Sequence, residues 1–367
     1  MTTTDTPPPA QAAPVAPAAA APRHGGGVRG FVHVAKLLLL FFALDAVIIV
    51  GIALVLPQLA AASVPGLMVG AFTVLLRGRL RDGLLAVAVQ AVLSGTAFLV
   101  THSPWESGVL MALVGIAMAL GGRVGWRTPV MVMAVFTAGA FFPVHVPGDA
   151  PPGSLEGAAG IALAILVGGA LGAVVLRIVL RHHTAPRKSA PVPWPDVVVN
   201  AVALGVTLLV GTAGVLAWDR SPVASWLMIT IVILAQPTDE RTMRRSWQRL
   251  IGSLAGSLIA AGFALVLTAT WQSAIVTFVF FTAAWSYRLS HPAVELGQGY
   301  WIYTVITTPA MILLAVPSGG HQTIEAAGQR VGLTVVGVIA VVLVTQVVRW
   351  AVVRAMAGRG PGAATPG

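Results

Sequence analysis

Asp45 is the residue whose type and position most directly suggest chemistry, because it is an acid inside the apolar run 37–56. An ionised carboxylate at the centre of a membrane costs about 2.5–3.5 kcal/mol, so such a side chain faces the protein interior, is neutral for part of a cycle, or has a partner. Asp45 is therefore a candidate for reversible protonation. A structural carboxyl that bonds to a Ser, Thr or Asn of a neighbouring helix is the alternative, and the sequence leaves both open.

Uncharged polar groups interrupt other apolar runs. Asn200 and Gln236 can contact a solute, although hydrogen bonding between helices is the commoner role of such side chains. In the segment 307–309, proline removes a backbone hydrogen bond and frees carbonyl and hydroxyl groups, so a helix broken there can bind a solute. A kink repaired by the two threonines is the alternative. The candidates for a substrate path are Asn200, Gln236, Thr307, Thr308 and Pro309.

Glycines recur at a spacing of four in several apolar runs. Such pairs lie on one helix face and let two backbones approach closely, so they predict tight helix packing rather than a binding site. Gln90 is predicted to hydrogen-bond between helices in the same packed interior. The glycine pairs are Gly66 and Gly70, Gly168 and Gly172, Gly252 and Gly256, and Gly328 and Gly332.

Several classes of function are disfavoured by what the sequence lacks. It contains no His-Glu-x-x-His, Gly-x-Ser-x-Gly or Gly-x-x-x-x-Gly-Lys-Ser/Thr motif and no cysteine, so we expect no catalytic residue, metal or other cofactor, and no enzyme. The formal net charge is +10, but the cations lie in short loops and form no continuous basic stripe. We therefore expect no nucleic-acid partner.

The elements that must position these residues are membrane helices. Hydrophobic residues make up 57% of the 367-residue chain and charged residues only 9%, and no water-soluble fold hides that much apolar surface. Apolar runs of about 20 residues, the length that crosses a bilayer, follow one another between charged or Pro-Gly turns. The predicted fold is an all-α polytopic transmembrane helical bundle of 10–12 spans. The predicted spans are 37–56, 59–76, 84–101, 107–121, 128–142, 157–180, 197–217, 222–236, 250–268, 273–287, 300–316 and 331–354.

The distribution of basic residues predicts the orientation of these spans. With twelve spans and both termini inside, only Arg220 and Arg330 of the 22 lysines and arginines fall in outside loops. Basic loops stay in the cytoplasm, so both termini are predicted to be cytoplasmic. The composition, rich in Arg, Ala, Gly and Val, suggests a GC-rich bacterial genome. This topology places no Arg or Lys in the middle of a span.

The two halves of the predicted bundle share a layout. A basic residue precedes a span that ends near Pro104-Trp105 in the first half and near Thr270-Trp271 in the second. Repeats of six spans each have parallel topology about an axis along the membrane normal, with a substrate path between them. The expected division is a disordered cytoplasmic tail 1–30, a first repeat 31–181, a basic Pro-rich cytoplasmic linker 182–196, a second repeat 197–356, and a disordered tail 357–367.

The second half resembles the fusaric acid resistance protein-like (FUSC) family. Residues 226–237 form an apolar span ending in Gln-Pro, a basic loop follows, and Arg249, Gly252 and Gly256 match the family's Arg-x-x-Gly-Thr-x-x-Gly helix, with Ser253 in place of Thr. The segments Tyr303-x-x-x-Thr-Thr-Pro309 and Gln329-Arg-Val-Gly332 resemble its last two spans. The resemblance covers about 221–350 well and 44–142 more loosely.

This resemblance implies proton-driven efflux of small aromatic or other organic acids through the inner membrane. The expected partners are the lipid bilayer, a small organic acid, protons and, through the glycine faces, a second copy of the chain. An anionic substrate favours a buried cation or a helix N-terminus, and the predicted spans offer no such cation. A non-transporting scaffold of an envelope complex, in which Asp45 and the glycines only hold the bundle together, is the alternative function.

Overall fold

A computed structural model describes most of the chain. The described residues are 28–142, 150–179, 191–218, 221–235, 239–267, 269–291, 299–316 and 320–357. The tail 357–367 lies outside them except for its first residue, and so do most of the tail 1–30 and of the linker 182–196, so the predictions made for these segments stay predictions.

The described residues form α-helices joined by short connections, with one 3₁₀ turn at Pro222–Ala224. This confirms the predicted all-α helical bundle. The helices are α1 (Val28–Val55), α2 (Pro57–Arg77), α3 (Leu80–Val100), α4 (Pro104–Val124), α5 (Arg127–Ala140), α6 (Leu155–Val179), α7 (Trp194–Trp218), α8 (Ser225–Leu234), α9 (Asp239–Ala264), α10 (Thr270–Ser290), α11 (Tyr300–Ala315) and α12 (Gly320–Ala357).

Seven of these helices are long and apolar enough to cross a membrane by length and composition: α1 to α4, α6, α7 and α12. The helices α8 and α11 are apolar but shorter, and α9 opens with a charged segment. The chain is thus a multi-pass membrane protein, and the expected count of ten to twelve crossings stays a prediction.

The helices of the two halves pack in corresponding ways. In the first half α6 packs on α2 and α3, and in the second half α12 packs on α8 and α9. Five further contacts recur when each helix number is raised by six. They are α1–α2 with α7–α8, α1–α6 with α7–α12, α2–α3 with α8–α9, α3–α5 with α9–α11, and α4–α5 with α10–α11. Between the halves, α1 packs on α10 and α7 packs on α4. Shifting every helix number by six therefore reproduces most of the contacts, and this supports the expected pair of repeats.

Most of the glycine pairs lie where two helix backbones meet. Gly66 of α2 faces the Ile165 carbonyl of α6 so closely that any side chain would collide with it. Gly168 of α6 meets the carbonyl of Ser63 in the same way, and the predicted tight packing is confirmed there. At Gly328 and Gly332 an added Cβ would have no described atom within 4 Å. The prediction of close helix packing at this pair is therefore wrong within the described part of the chain.

Two expectations about helix interruptions differ from the structure. The helix α11 runs through Pro309 without a break. The helix α12 begins at Gly320, so Arg330 lies inside it and not in an outside loop. The first turns of α12 contain charged and polar residues, so the apolar run alone predicted a helix start that lies too late in the sequence.

Candidate functional site

A cavity of about 580 Å³ lies between the two halves. Its walls come from α1, α2 and α5 of the first half and from α8 to α12 of the second. The volume falls within the range of about 300–1,000 Å³ that is usual for small-molecule sites. The arrangement can therefore hold a small organic molecule at the place where the sequence predicts a substrate path.

Aromatic rings line one side of this cavity and join the halves. Phe72 of α2 stacks on Trp285 of α10 with ring centroids 4.2 Å apart, and Trp285 meets Tyr303 edge to face at 6.3 Å. Phe42 of α1 contacts Phe278 of α10 at 5.6 Å. Flat apolar surfaces of this kind suit an aromatic solute, which gains contact area and ring stacking against them.

Positive charge is concentrated in the second half of the cavity wall. The guanidinium of Arg288 lies 5.2 Å from the Trp285 ring centroid and 5.4 Å from that of Tyr303. Arg249 and Arg330 also line the cavity, and each is only 2% exposed. The expectation that the spans offer no buried cation is therefore wrong for Arg330, which lies within the candidate span His321–Val352. Arg249 is also buried, inside α9, which is not one of the candidate spans.

Arg249 is held by the start of α11. Its Nη1 donates to the Tyr300 hydroxyl at 3.3 Å, and the guanidinium of Arg245, one turn earlier in α9, lies 4.5 Å from the centroid of the Tyr300 ring. The glycines three and seven residues after Arg249 lie on the same helix face and allow the approach. A Cβ on Gly252 would lie 2.8 Å from the Trp301 carbonyl oxygen, and one on Gly256 would lie 2.8 Å from that of Val305.

Arg330 is a residue of the cavity wall that the sequence analysis did not find as a candidate. It lies about 15 Å along α12 from Gly320, and its guanidinium stacks over the Trp226 ring of α8 at 4.9 Å. Its Nε and Nη1 have no hydrogen-bond partner. The signal that could have found it is the run Gly320 to Arg330, which contains no proline and continues directly into the apolar part of α12.

Asp45 lies near the cavity but not in its wall. Its side chain is 3% exposed, and neither carboxyl oxygen has a hydrogen-bond partner. Phe42, three residues earlier on the same side of α1, does line the cavity. Neither a helix-bonding Ser, Thr or Asn nor a basic side chain pairs with Asp45 among the described residues.

The other predicted candidates occupy different surroundings. Thr307 lines the cavity and donates to the Tyr303 carbonyl at 2.6 Å, while Thr308 and Pro309 pack against Gly256 of α9. Asn200 is buried in α7 outside the cavity wall. Its Nδ2 donates to the Asp196 carbonyl one turn earlier. Gln236 lies outside the described residues. The structure thus brings Thr307 together with the arginines and does not bring Asn200 there, and the role of each in a substrate path stays a prediction.

The predicted bonding role of Gln90 agrees with its contacts. Its Nε2 donates to Ser94 at 2.7 Å within α3 and to Thr137 of α5 at 3.4 Å. Among the described residues no group of three or more His, Cys, Asp or Glu side chains is placed to hold a metal ion.

Residues 202–344 match the family model described as fusaric acid resistance protein-like. This part of the second half is a fusaric acid resistance protein-like region. It contains α8 to α11 complete, with Arg249, Gly252, Gly256 and Arg330, and so most of the cavity wall. No curated protein and no solved structure matches the chain. The family name and the apolar helices together indicate a transporter-like membrane protein.

Proposed function

We propose that this protein is a secondary transporter of the bacterial inner membrane that exports small aromatic or other organic acids in exchange for protons. The observation that carries the proposal is the cavity between the halves, whose apolar and aromatic wall is interrupted by Arg249, Arg288 and Arg330. An aromatic acid has the matching chemistry, because its ring fits the apolar wall and its carboxylate can pair with a guanidinium.

Asp45 is the proposed proton-carrying group. Because no cation pairs with it among the described residues, the carboxyl can gain or lose a proton without breaking an ion pair. It touches the cavity only through its neighbours on α1, so we infer that coupling acts through movement of α1 rather than through contact with the substrate. The contact of Phe42 with Phe278 connects this helix to α10 of the other half.

Transport in proteoliposomes tests this function. The purified full-length protein is reconstituted with a pH-sensitive dye inside the vesicles, and benzoate and related aromatic acids are added outside. Wild type is expected to show acid-dependent proton movement above that of protein-free vesicles, into which the undissociated acid diffuses, and Asp45→Asn is expected to show none above that level. If neither protein moves protons with any acid, while both remain folded by circular dichroism, the scaffold function is favoured over transport.

A further inference from the structure

Two buried positive charges, Arg249 and Arg330, share the cavity, and the described part of the chain places no carboxylate beside either. No ion pair joins Arg249 or Arg330 to a carboxylate among the residues that the structure describes. The Nε of Arg249 and the Nε and Nη1 of Arg330 lack any hydrogen-bond partner. The two guanidinium groups are also close enough for their charges to repel each other.

Such an arrangement is unfavourable unless an anion joins it. A guanidinium keeps its proton in proteins, so it cannot escape burial by becoming neutral as a lysine can. Each buried N–H without an acceptor costs the free energy of its lost hydration, and this cost is larger for a charged group. The Tyr300 hydroxyl and the Trp226 ring satisfy only part of this demand, because the hydroxyl accepts one N–H of Arg249 and the ring accepts none of the in-plane N–H groups of Arg330.

We propose that Arg249 and Arg330 form a binding site for one monovalent anion, which is a halide when no organic acid is present and the carboxylate of the acid when one is. The halide occupies the charged part of the cavity and leaves the aromatic part free. The organic acid displaces it, since both use the same N–H groups. The site requires no transport, although the competition with organic acids rests on the proposed function.

Trp226 makes this binding measurable, because it stacks on Arg330 and is only 3% exposed. Bromide quenches tryptophan fluorescence on contact. The full-length protein in detergent is titrated with sodium bromide at constant ionic strength, balanced with gluconate, a bulky hydrophilic anion that an apolar cavity excludes. Exposed tryptophans give quenching that rises linearly, so a bound bromide appears as a separate component that saturates. Chloride is expected to raise the bromide concentration at half saturation, and benzoate is expected to reverse the saturating component.

A second arginine on a tryptophan provides the matched control. Arg354 lies 5.0 Å from the Trp350 ring centroid near the end of α12, and both side chains are exposed. The saturating component is expected to disappear in Arg330→Gln and Trp226→Phe and to persist in Arg354→Gln and Trp350→Phe. Arg249→Gln is expected to raise the bromide concentration at half saturation at least tenfold.

The bromide titration of wild type can by itself overturn the proposal, so the test does not require that the variants fold. If bromide quenches wild type only linearly, or if a saturating component survives in folded Arg330→Gln, no anion site exists at this pair. Saturable bromide binding without acid transport in proteoliposomes upholds the anion site and rejects the proposed function. Acid transport without saturable bromide binding upholds the proposed function and rejects the anion site.

Discussion

Tyr300 links two of the buried arginines, since its hydroxyl accepts from Arg249 and its ring lies under Arg245. Tyr300→Phe keeps the ring and removes the acceptor, so Arg249 loses its fixed direction toward the cavity. We expect the KM for a transported acid to rise about tenfold, which corresponds to about 1.4 kcal/mol, a usual effect for a hydrogen bond to a charged group. The measurement is acid-dependent proton flux as a function of acid concentration.

Tyr287→Phe is the control for this change. The Tyr287 hydroxyl donates to the Gly299 carbonyl at 3.5 Å, and among the hydrogen bonds of the described residues none joins it to Arg245, Arg249 or Arg330. Its removal is expected to leave the KM within a factor of two, while an equal rise in both variants would show that Tyr300 acts only through general packing.

Asp45 allows a test that separates function from stability at a single residue. Because neither carboxyl oxygen makes a hydrogen bond, Asp45→Asn breaks no bond, and we expect the free energy of unfolding to change by less than about 1 kcal/mol. Proton coupling is nevertheless expected to be lost. Thermal unfolding and proton flux are measured on the same preparation. A large fall in unfolding temperature with normal flux would make Asp45 a structural carboxyl instead.

At the scale of elements, α9 and α11 make a close backbone contact beside the site. Gly256→Ala places a methyl group against the Val305 carbonyl and the Thr308 side chain, so the two helices must separate. We expect a loss of about 1–3 kcal/mol in unfolding free energy, as for other overpacked interiors. Gly262→Ala in the same helix meets nothing within 4 Å and is expected to be neutral or slightly stabilising. Equal unfolding temperatures for the two variants would contradict this account.

Local sequence patterns predicted the helices well. Structural features that several helices build together, such as the buried site of Arg330, were missed. Hydropathy and the spacing of Gly252 and Gly256 specify a helix and its tight face without knowledge of the partner. The burial of Arg330 depends on α8, which supplies Trp226, and on the cavity, whose wall also includes residues of six helices other than α8 and α12. The sequence analysis placed Arg330 in a loop because a positive charge beside an apolar run usually marks the end of a membrane helix.

At the scale of the whole molecule, transport by alternating access requires the two halves to move against each other around the cavity. Phe72 and Trp285 lie on opposite halves with their rings stacked, so a covalent link at this place should prevent that movement. The chain contains no cysteine, so the double variant Phe72→Cys, Trp285→Cys introduces the only thiols. A short bifunctional thiol reagent is expected to abolish acid-dependent proton flux in this variant.

Each single-cysteine variant treated with the same reagent controls for modification of the cavity wall. Its flux is expected to exceed that of the linked double variant by at least tenfold. Full activity of the linked protein would mean that the halves stay fixed at this contact during transport, and the movement would then have to occur within one half.

The packing of α1 on α10 and of α7 on α4 also sets an order for biosynthesis. A ribosome delivers α1 to the membrane long before α10 exists, so the first helix waits in lipid with one of its faces uncovered. Chains of this size acquire structure piece by piece as they emerge. The nascent protein therefore cannot complete its first half until most of its second half has been inserted, and a premature stop after α9 would leave α1 without its final partner.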